Sequence, residues 1–309
     1  MQNKLLSHRK TIYALSSKVN RYLQASLSEN TRRAYCNDVA HFLKWGGRIP
    51  ATPESIASYL AVHATKLSVA TLSRRVVAFG KAHTVKRLPS PTHSDLVTAT
   101  LLGIRRTFGS AQRRVTPALL KDVQKMVKGL DGMKGLRDRA LLLTGFAGGF
   151  RRSELVSILV EDVHFVDQGI VINLRRGKTD QTGKGREIAI PFVRGKFCPV
   201  TAIKDWLAHS TIKSGCLFRR VSRYGQVMDL GLSAQSVALI VKHRAKEIGL
   251  DPKNFSGHSL RAGLVTSAVK SGVSSWKICQ QTGHQSSEMM QRYIRDGQLF
   301  TDNTVGTIW

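Results

Sequence analysis

The chain has 309 residues, 42% hydrophobic and 22% charged, with 48 Lys and Arg against 20 Asp and Glu, a net charge of +28. That length points to two domains rather than one core, and that composition excludes a disordered, fibrous or low-complexity chain. No stretch approaches the ~18–20 apolar residues of a membrane span, and residues 1–10 lack an apolar secretory segment, so the expectation is a cytoplasmic protein with no membrane partner. The charge excess opposes compaction and calls for a polyanionic partner. Nucleic acid is that partner by default, because neutralising phosphates releases counterions, and a nucleoid-associated location follows. A membrane surface would gather the basic residues on one amphipathic helix or tail, whereas here they run through the whole chain. Cys36, Cys198, Cys216 and Cys279 are scattered without a CxxC pair, which argues against a disulfide framework or a cysteine-rich zinc site.

Residues 1–10, polar and basic, read as a flexible arm. Residues 11–108 carry a helical pattern throughout and are predicted to form a helical DNA-binding domain. Thr11–Leu27 is its first helix. Ser28-Glu29-Asn30-Thr31 breaks the run and supplies N-cap residues. Ala34, Tyr35, Val39, Phe42 and Leu43 then recur at helical spacing until Gly46-Gly47. Thr52-Pro53-Glu54 reads as N-cap, first-turn proline and acidic first turn of a helix bearing Ile56, Tyr59 and Leu60. Ser68 opens another helix, with Leu72, Val76 and Phe79, and Asp95–Phe108 is a further short one. The acids here are Glu29, Asp38, Glu54 and Asp95, against the adjacent basic pairs Arg32-Arg33, Arg74-Arg75, Lys86-Arg87 and Arg105-Arg106. One such pair is ordinarily a solvated helix face. Four pairs among so few acids point to a surface for the DNA backbone.

Residues 109–115, polar and aperiodic, read as a linker. Residues 116–309 form the second domain, mostly helical, in which Thr116-Pro117 caps a helix through Leu119, Leu120 and Val123. Gly169–Leu174 and Arg186–Pro191 read as strands around a basic tip that contains Arg175, Arg176, Lys178 and Lys184. The predicted fold class is therefore mainly α with a small antiparallel β insertion (α+β).

Two motifs resemble chemistry and fail. Gly177 to Lys184 looks like a phosphate loop, but five residues separate its glycines, Gly185 follows the lysine, and the context is strand–turn–strand. Gly257-His258-Ser259-Leu260-Arg261 looks like a nucleophile elbow, but Arg261 stands where the second glycine belongs. His258 and His284 have no acidic residue in their immediate motifs, so no metal site and no cofactor are expected.

Three segments survive: Gly149-Phe150-Arg151-Arg152-Ser153-Glu154-Leu155, then His258-Ser259-Leu260-Arg261, then Gly283-His284 with Tyr293 nine residues on. Lys178 lies between the first two. This is a set suited to phosphodiester transesterification without a metal. Two guanidiniums neutralise the charge that develops on the non-bridging oxygens. Histidines donate to those oxygens or move the nucleophile's proton. A lysine protonates the leaving 5′ oxygen, and a tyrosine attacks and holds a covalent intermediate.

These residues, in this order and spacing, resemble the tyrosine recombinases, also called the phage integrase family. The first arginine box of that family reads roughly Gly-Leu-Arg-x-Ser-Glu-Leu, with Phe150 here in place of leucine. The His-x-x-Arg box matches His258 to Arg261, the Gly-His box matches Gly283-His284, and Lys178 matches the family's β-hairpin lysine. The likeness covers residues 12–300. It implies a C-shaped clamp on duplex DNA, made of a core-binding domain and a catalytic domain. It implies Tyr293 as nucleophile, with Arg151, Arg261, His258 and His284 on the phosphate, Lys178 as general acid and Glu154 as a buried support. A 3′-phosphotyrosyl intermediate, a Holliday junction and four protomers on two sites follow from the same likeness. Arg32, Arg33, Arg74, Arg75, Lys86, Arg87, Arg105, Arg106, Arg175 and Arg176 are the predicted DNA contacts. The apolar end Asp296–Trp309 docks either on a neighbouring protomer or on its own domain. Lys184 competes with Lys178 for the hairpin role. A type IB topoisomerase and a non-catalytic DNA-binding regulator are the alternative readings.

Overall fold

The computed structural model describes residues 19, 21–22, 26–109, 114–175, 177, 185–284, 291 and 293. The chain divides into two compact units, Met1–Arg113 and Arg114–Trp309. The first is helical: α1 Glu29–Trp45, α2 Pro53–His63, α3 Val69–Val85 and α4 Asp95–Phe108. Ser28, Thr52, Ser68 and Ser94 each accept a hydrogen bond from the backbone N–H three residues on, which satisfies one of the orphan donors at each helix start. Gly46 ends α1 in the left-handed conformation. Phe42, Tyr59, Leu60, Leu72, Phe79 and Val97 form the core of this unit. The predicted helix Thr11–Leu27 lies outside the described residues except for Val19, Arg21, Tyr22, Ser26 and Leu27.

One predicted DNA contact is corrected here. Arg75 is only 8% exposed. It donates to the Tyr59 hydroxyl, and its Nε lies 3.4 Å from the buried Asp38 carboxylate. Arg74, on the same carboxylate, donates from Nε and Nη2 at 2.8 and 2.9 Å and stays exposed. Adjacent helical residues point roughly 100° apart, so a basic pair at the rim of a bundle sends one member outward and one inward.

The second unit contains α5 Leu120–Met126, α6 Gly132–Ala147, α7 Arg152–Ser157, β1 Val163–Val166, β2 Gly169–Leu174, β3 Arg186–Pro191, α8 Pro199–Ser210, β4 Arg219–Val221, β5 Val227–Gly231, α9 Ala234–Glu247, α10 His258–Lys270 and α11 Ser275–Thr282. Strands β2 and β3 have their predicted bounds and pair antiparallel, with Ile170 opposite Ile190 and Ile172 opposite Ile188. All four isoleucines are buried, as the two-residue period requires of a sheet with one face on the core. Strand β1 and the β4–β5 pair go beyond the predicted hairpin. They are three to five residues long, and their mostly exposed side chains give no alternation to read. Helix α6 runs through the core and buries Leu141, Leu142, Leu143 and Phe146 beside Trp206 of α8. Asp138 of α6 is buried between Arg137 and Arg244 of α9.

The first helix of this unit starts later than predicted, at Leu120. Thr116 N–H donates to the Asn254 carbonyl at 2.7 Å and Ala118 N–H to the Ser259 carbonyl at 2.9 Å. Those bonds hold 116–118 out of the helix and against the start of α10. Asp122 then closes the first turn by accepting from Leu119 N–H at 3.0 Å. The close approach depends on Gly263, where a Cβ would meet the Ala118 carbonyl oxygen at 1.7 Å. Gly263→Ala is expected to cost about 3 kcal/mol of unfolding free energy by overpacking, as read by urea denaturation. A loss under about 0.5 kcal/mol would mean that this contact relaxes freely.

Candidate active site

Arg151 stands at the N-cap of α7 in an extended conformation. Glu154, 2% exposed, turns back on it. Glu154 Oε2 accepts from Arg151 N–H at 2.9 Å and Oε1 from Nη1 at 2.6 Å. The carboxylate therefore caps the short helix and aims the guanidinium together. Arg152, next in the chain, is exposed.

Arg261 on α10 is 1% exposed. Its Nη1 donates to the carbonyls of Gly149 at 2.7 Å and Thr282 at 2.6 Å, joining the first box to the Gly-His box. Its Nη2 is buried without a hydrogen-bond partner. Burial, followed by the nearby Arg151, lowers this guanidinium to about 10, so it stays charged at neutral pH.

Thr282 and His284 sit on either side of Gly283, which ends α11 with φ +67°. Thr282 Oγ1 donates to the Ile278 carbonyl at 2.6 Å, which uses its one hydrogen. It must then accept from His284 Nδ1 at 2.7 Å, so Nδ1 carries the imidazole proton. His284 Nε2 is buried without a partner. Burial first, then Arg261 and Arg151, lowers His284 to about 3, so the ring is neutral and Nε2 presents a lone pair.

His258 opens α10 and is exposed. Its Nε2 lies 3.5 Å from the Tyr293 hydroxyl, the outer limit of a hydrogen bond. The Tyr293 ring packs beside Val265, Val269 and Ile278, and its centroid is 6.1 Å from that of His284. Arg151 and Glu154 are thus brought together with His258, Arg261, His284 and Tyr293, which lie more than a hundred residues further along the chain. Lys178, Lys184, Arg176 and the tail Asp296–Trp309 lie outside the described residues.

Arg186 also belongs to this cluster, and sequence reasoning assigned it only to the start of a strand. Its Nη1 donates to the Gln281 carbonyl at 2.6 Å, and its Nη2 lies 3.4 Å from Glu154 Oε2. Burial, opposed by Glu154, lowers this guanidinium below the usual arginine range. No motif marks it, because its partners are a backbone carbonyl and a carboxylate already claimed by Arg151.

The other predicted DNA contacts are dispersed. Arg32, Arg33, Arg74, Lys86, Arg87, Arg105 and Arg106 are exposed on the first unit. Arg175 on the second pairs with Asp162 at 2.7 Å. Among the described residues no group of three or more His, Cys, Asp or Glu is arranged to hold a metal ion, and no helix is long and apolar enough to cross a membrane.

The state of His284 has a consequence for stability. An unfolded histidine takes up a proton near pH 6.5, whereas the folded ring resists it down to about 3. As pH falls below 6.5 the unfolded chain gains a proton that the folded one refuses. Stability therefore falls towards a slope of about 1.4 kcal/mol per pH unit from this group alone. His284→Gln is expected to remove that part of the slope in urea titrations at pH 7, 6 and 5. Parallel losses in the two proteins would mean that His284 is charged in the folded state.

Residues 117–298 match the phage integrase family. An integrase/recombinase xerD homolog from Selenomonas ruminantium is 39% identical over 306 residues, covering 96% of this chain and 90% of that protein. The recombinase cre of Escherichia phage P1 is 26% identical over 297 residues, covering 88% and 85%. Among solved structures, a lambda integrase dimer bound to a COC′ core site superposes with a TM-score of 0.64 at 18% identity, over 94% of this chain and 79% of that one. XerH bound to palindromic difH substrate, in a post-cleavage complex, gives 0.62 at 19% identity, over 84% and 72%. These solved structures share the mainly α fold with its small antiparallel sheets. The family match over most of the second unit and the relative that spans nearly the whole chain agree with the arginine, histidine and tyrosine boxes: the chain belongs to the phage integrase family and is a site-specific tyrosine recombinase, a DNA strand-transferring enzyme.

Proposed function

We propose that the Tyr293 hydroxyl attacks a scissile phosphate in duplex DNA. The bond from phosphorus to the Tyr293 oxygen forms as the bond to the 5′ oxygen breaks. His258 accepts the phenolic proton, and Lys178 supplies one to the departing 5′ oxygen. Arg151, Arg261 and His284 hold the non-bridging oxygens as their charge grows. The linkage to the enzyme is still a phosphodiester, so the 5′-hydroxyl of a partner duplex reseals it without an added energy source.

The observation that carries this reading is the pair of buried, unpartnered atoms, Arg261 Nη2 and His284 Nε2, in the cluster that holds Tyr293. A buried polar atom without a partner is costly, and an entering phosphate oxygen satisfies the guanidinium directly. The negative charge it brings favours protonation of His284 Nε2, which then becomes a second donor.

The helical unit grips the DNA backbone through Arg32, Arg33, Arg74, Lys86, Arg87, Arg105 and Arg106, with Arg175 and Arg176 contributing from the second unit. In support, relatives of this fold were solved on DNA, the lambda integrase on a core site and XerH on difH, and the net charge of +28 suits a nucleoid-bound protein. Four protomers act on two sites, and the tail Asp296–Trp309 docks on a neighbour.

The test is covalent trapping. Nicked duplexes tiling the DNA on both sides of the encoding gene are incubated with the protein, without ATP and with chelator, and resolved in SDS. The expected result is a resistant protein–DNA adduct with one duplex. Tight, specific binding with no adduct would overturn this assignment of Tyr293 and the residues around it.

A further inference from the structure

Among the described residues of the cluster, Arg186 is the one cation for which the chemistry above has no use. It begins β3 directly after Gly185, opposite Leu174 at the base of the β2–β3 hairpin. From there its side chain, 21% exposed, reaches three places at once. It donates to the Gln281 carbonyl in the last turn of α11. It lies beside the Glu154 carboxylate that holds Arg151. It also packs on Gly283, where a Cβ would stand 3.1 Å from its guanidinium carbon. Gln281 strengthens the same joint, its side-chain amide donating to the carbonyls of Ala147 at 3.0 Å and Ala189 of β3 at 3.3 Å.

The like charges here oppose one another. Arg151, Arg186 and Arg261 surround one carboxylate, Glu154; Arg151 disfavours the charge on Arg186, and both disfavour the charge on Arg261. A neutral side chain of similar volume would join β3 to α11 at a lower electrostatic cost. An arginine makes sense there if its fork must fix the groups around it against each other. We propose that Arg186 is a positioning residue for strand transfer: by tying the hairpin base to Glu154, the Gln281 carbonyl and Gly283, it sets how Arg151 and His284 meet the scissile phosphate. The proposal rests on the chemistry given under Proposed function.

The experiment compares Arg186→Gln and Arg186→Lys with wild type in full-length protein on the same pool of nicked duplexes. It reads single-turnover adduct formation, DNA affinity at fixed salt and melting temperature. Arg186→Gln is expected to slow adduct formation by ~30–100-fold through misplacement of the phosphate contacts. Affinity should change less than about threefold, since most of it comes from other phosphate contacts. The melting temperature should stay within about 4 °C of wild type. Arg186→Lys, which keeps the charge but replaces the fork with a single ammonium, is expected to recover to within about tenfold of wild type.

Wild-type cleavage by Arg186→Gln would overturn the proposal. So would a slowing matched by equal losses of affinity or stability, which marks a merely structural role. Should Arg186→Gln unfold, amide exchange in Arg186→Lys decides: faster exchange confined to residues 275–284 is expected, and exchange unchanged from wild type refutes the proposal. A wild-type protein that formed no adduct would remove the underlying reading and this proposal with it.

Discussion

Tyr293→Phe is expected to lower covalent adduct formation by at least about 10⁴-fold, the scale seen when a catalytic nucleophile is deleted, while leaving DNA binding within about threefold. The ring packs beside Val265, Val269 and Ile278, and phenylalanine fills the same space. The hydroxyl lies 3.5 Å from His258 Nε2, a long contact whose loss should cost no more than about 1 kcal/mol of stability. The substitution therefore separates chemistry from folding and from recognition. The measurement is the SDS-resistant complex on a nicked duplex, run beside a gel-shift titration at one salt concentration. An adduct that persisted at the wild-type rate would move the nucleophile elsewhere. Tyr224, largely exposed in the same unit, would be the next tyrosine to replace.

Arg261 gives the second large effect, and it strikes both rate and stability. Its Nη1 supplies hydrogen bonds to the Gly149 and Thr282 carbonyls, while its Nη2 is free for a phosphate oxygen. Lysine keeps the charge but not the fork, so it cannot span two carbonyls and a ligand together. Arg261→Lys is expected to slow cleavage by about 10²–10³-fold, the range for losing one preorganised donor to a developing oxyanion. Arg261→Ala adds a stability loss of about 3–5 kcal/mol, because it leaves two buried carbonyls unpaired and opens a cavity. Single-turnover cleavage and urea denaturation on both variants check this. Cleavage by Arg261→Lys within threefold of wild type would mean that charge alone suffices at this position.

These two residues differ in what the sequence discloses about them. Tyr293 and Arg261 are visible as a nucleophile type and a motif arginine at fixed spacings from histidines. That Arg261 also bolts the first box to the Gly-His box is a property of folded geometry, since Gly149 and Thr282 are 133 residues apart in the chain. The unprotonated Nε2 of His284 is likewise a tertiary fact. It depends on Thr282 having already spent its hydrogen on Ile278 and on burial among cations.

What the sequence by itself determined was local. Ser28, Thr52, Ser68 and Ser94 can cap the helices that follow them whatever surrounds those helices, so their starts are legible. The alternating Ile170, Ile172, Ile188 and Ile190 define two strands in the same way. The arginine, histidine and tyrosine boxes are legible because transesterification restricts residue type and spacing together. Tertiary structure decided the rest. The start at Leu120 yielded to backbone bonds that Thr116 and Ala118 donate to the carbonyls of Asn254 and Ser259, more than a hundred residues away. Arg75 turned inward because Asp38 and Tyr59 offered partners in the core. Arg186 entered the site because β3 delivers it beside Glu154 and Gln281. Caps and periodicity are set by neighbours within about one helical turn, whereas a charged side chain settles where burial, partners and opposing charges balance, and those come from every part of the folded chain.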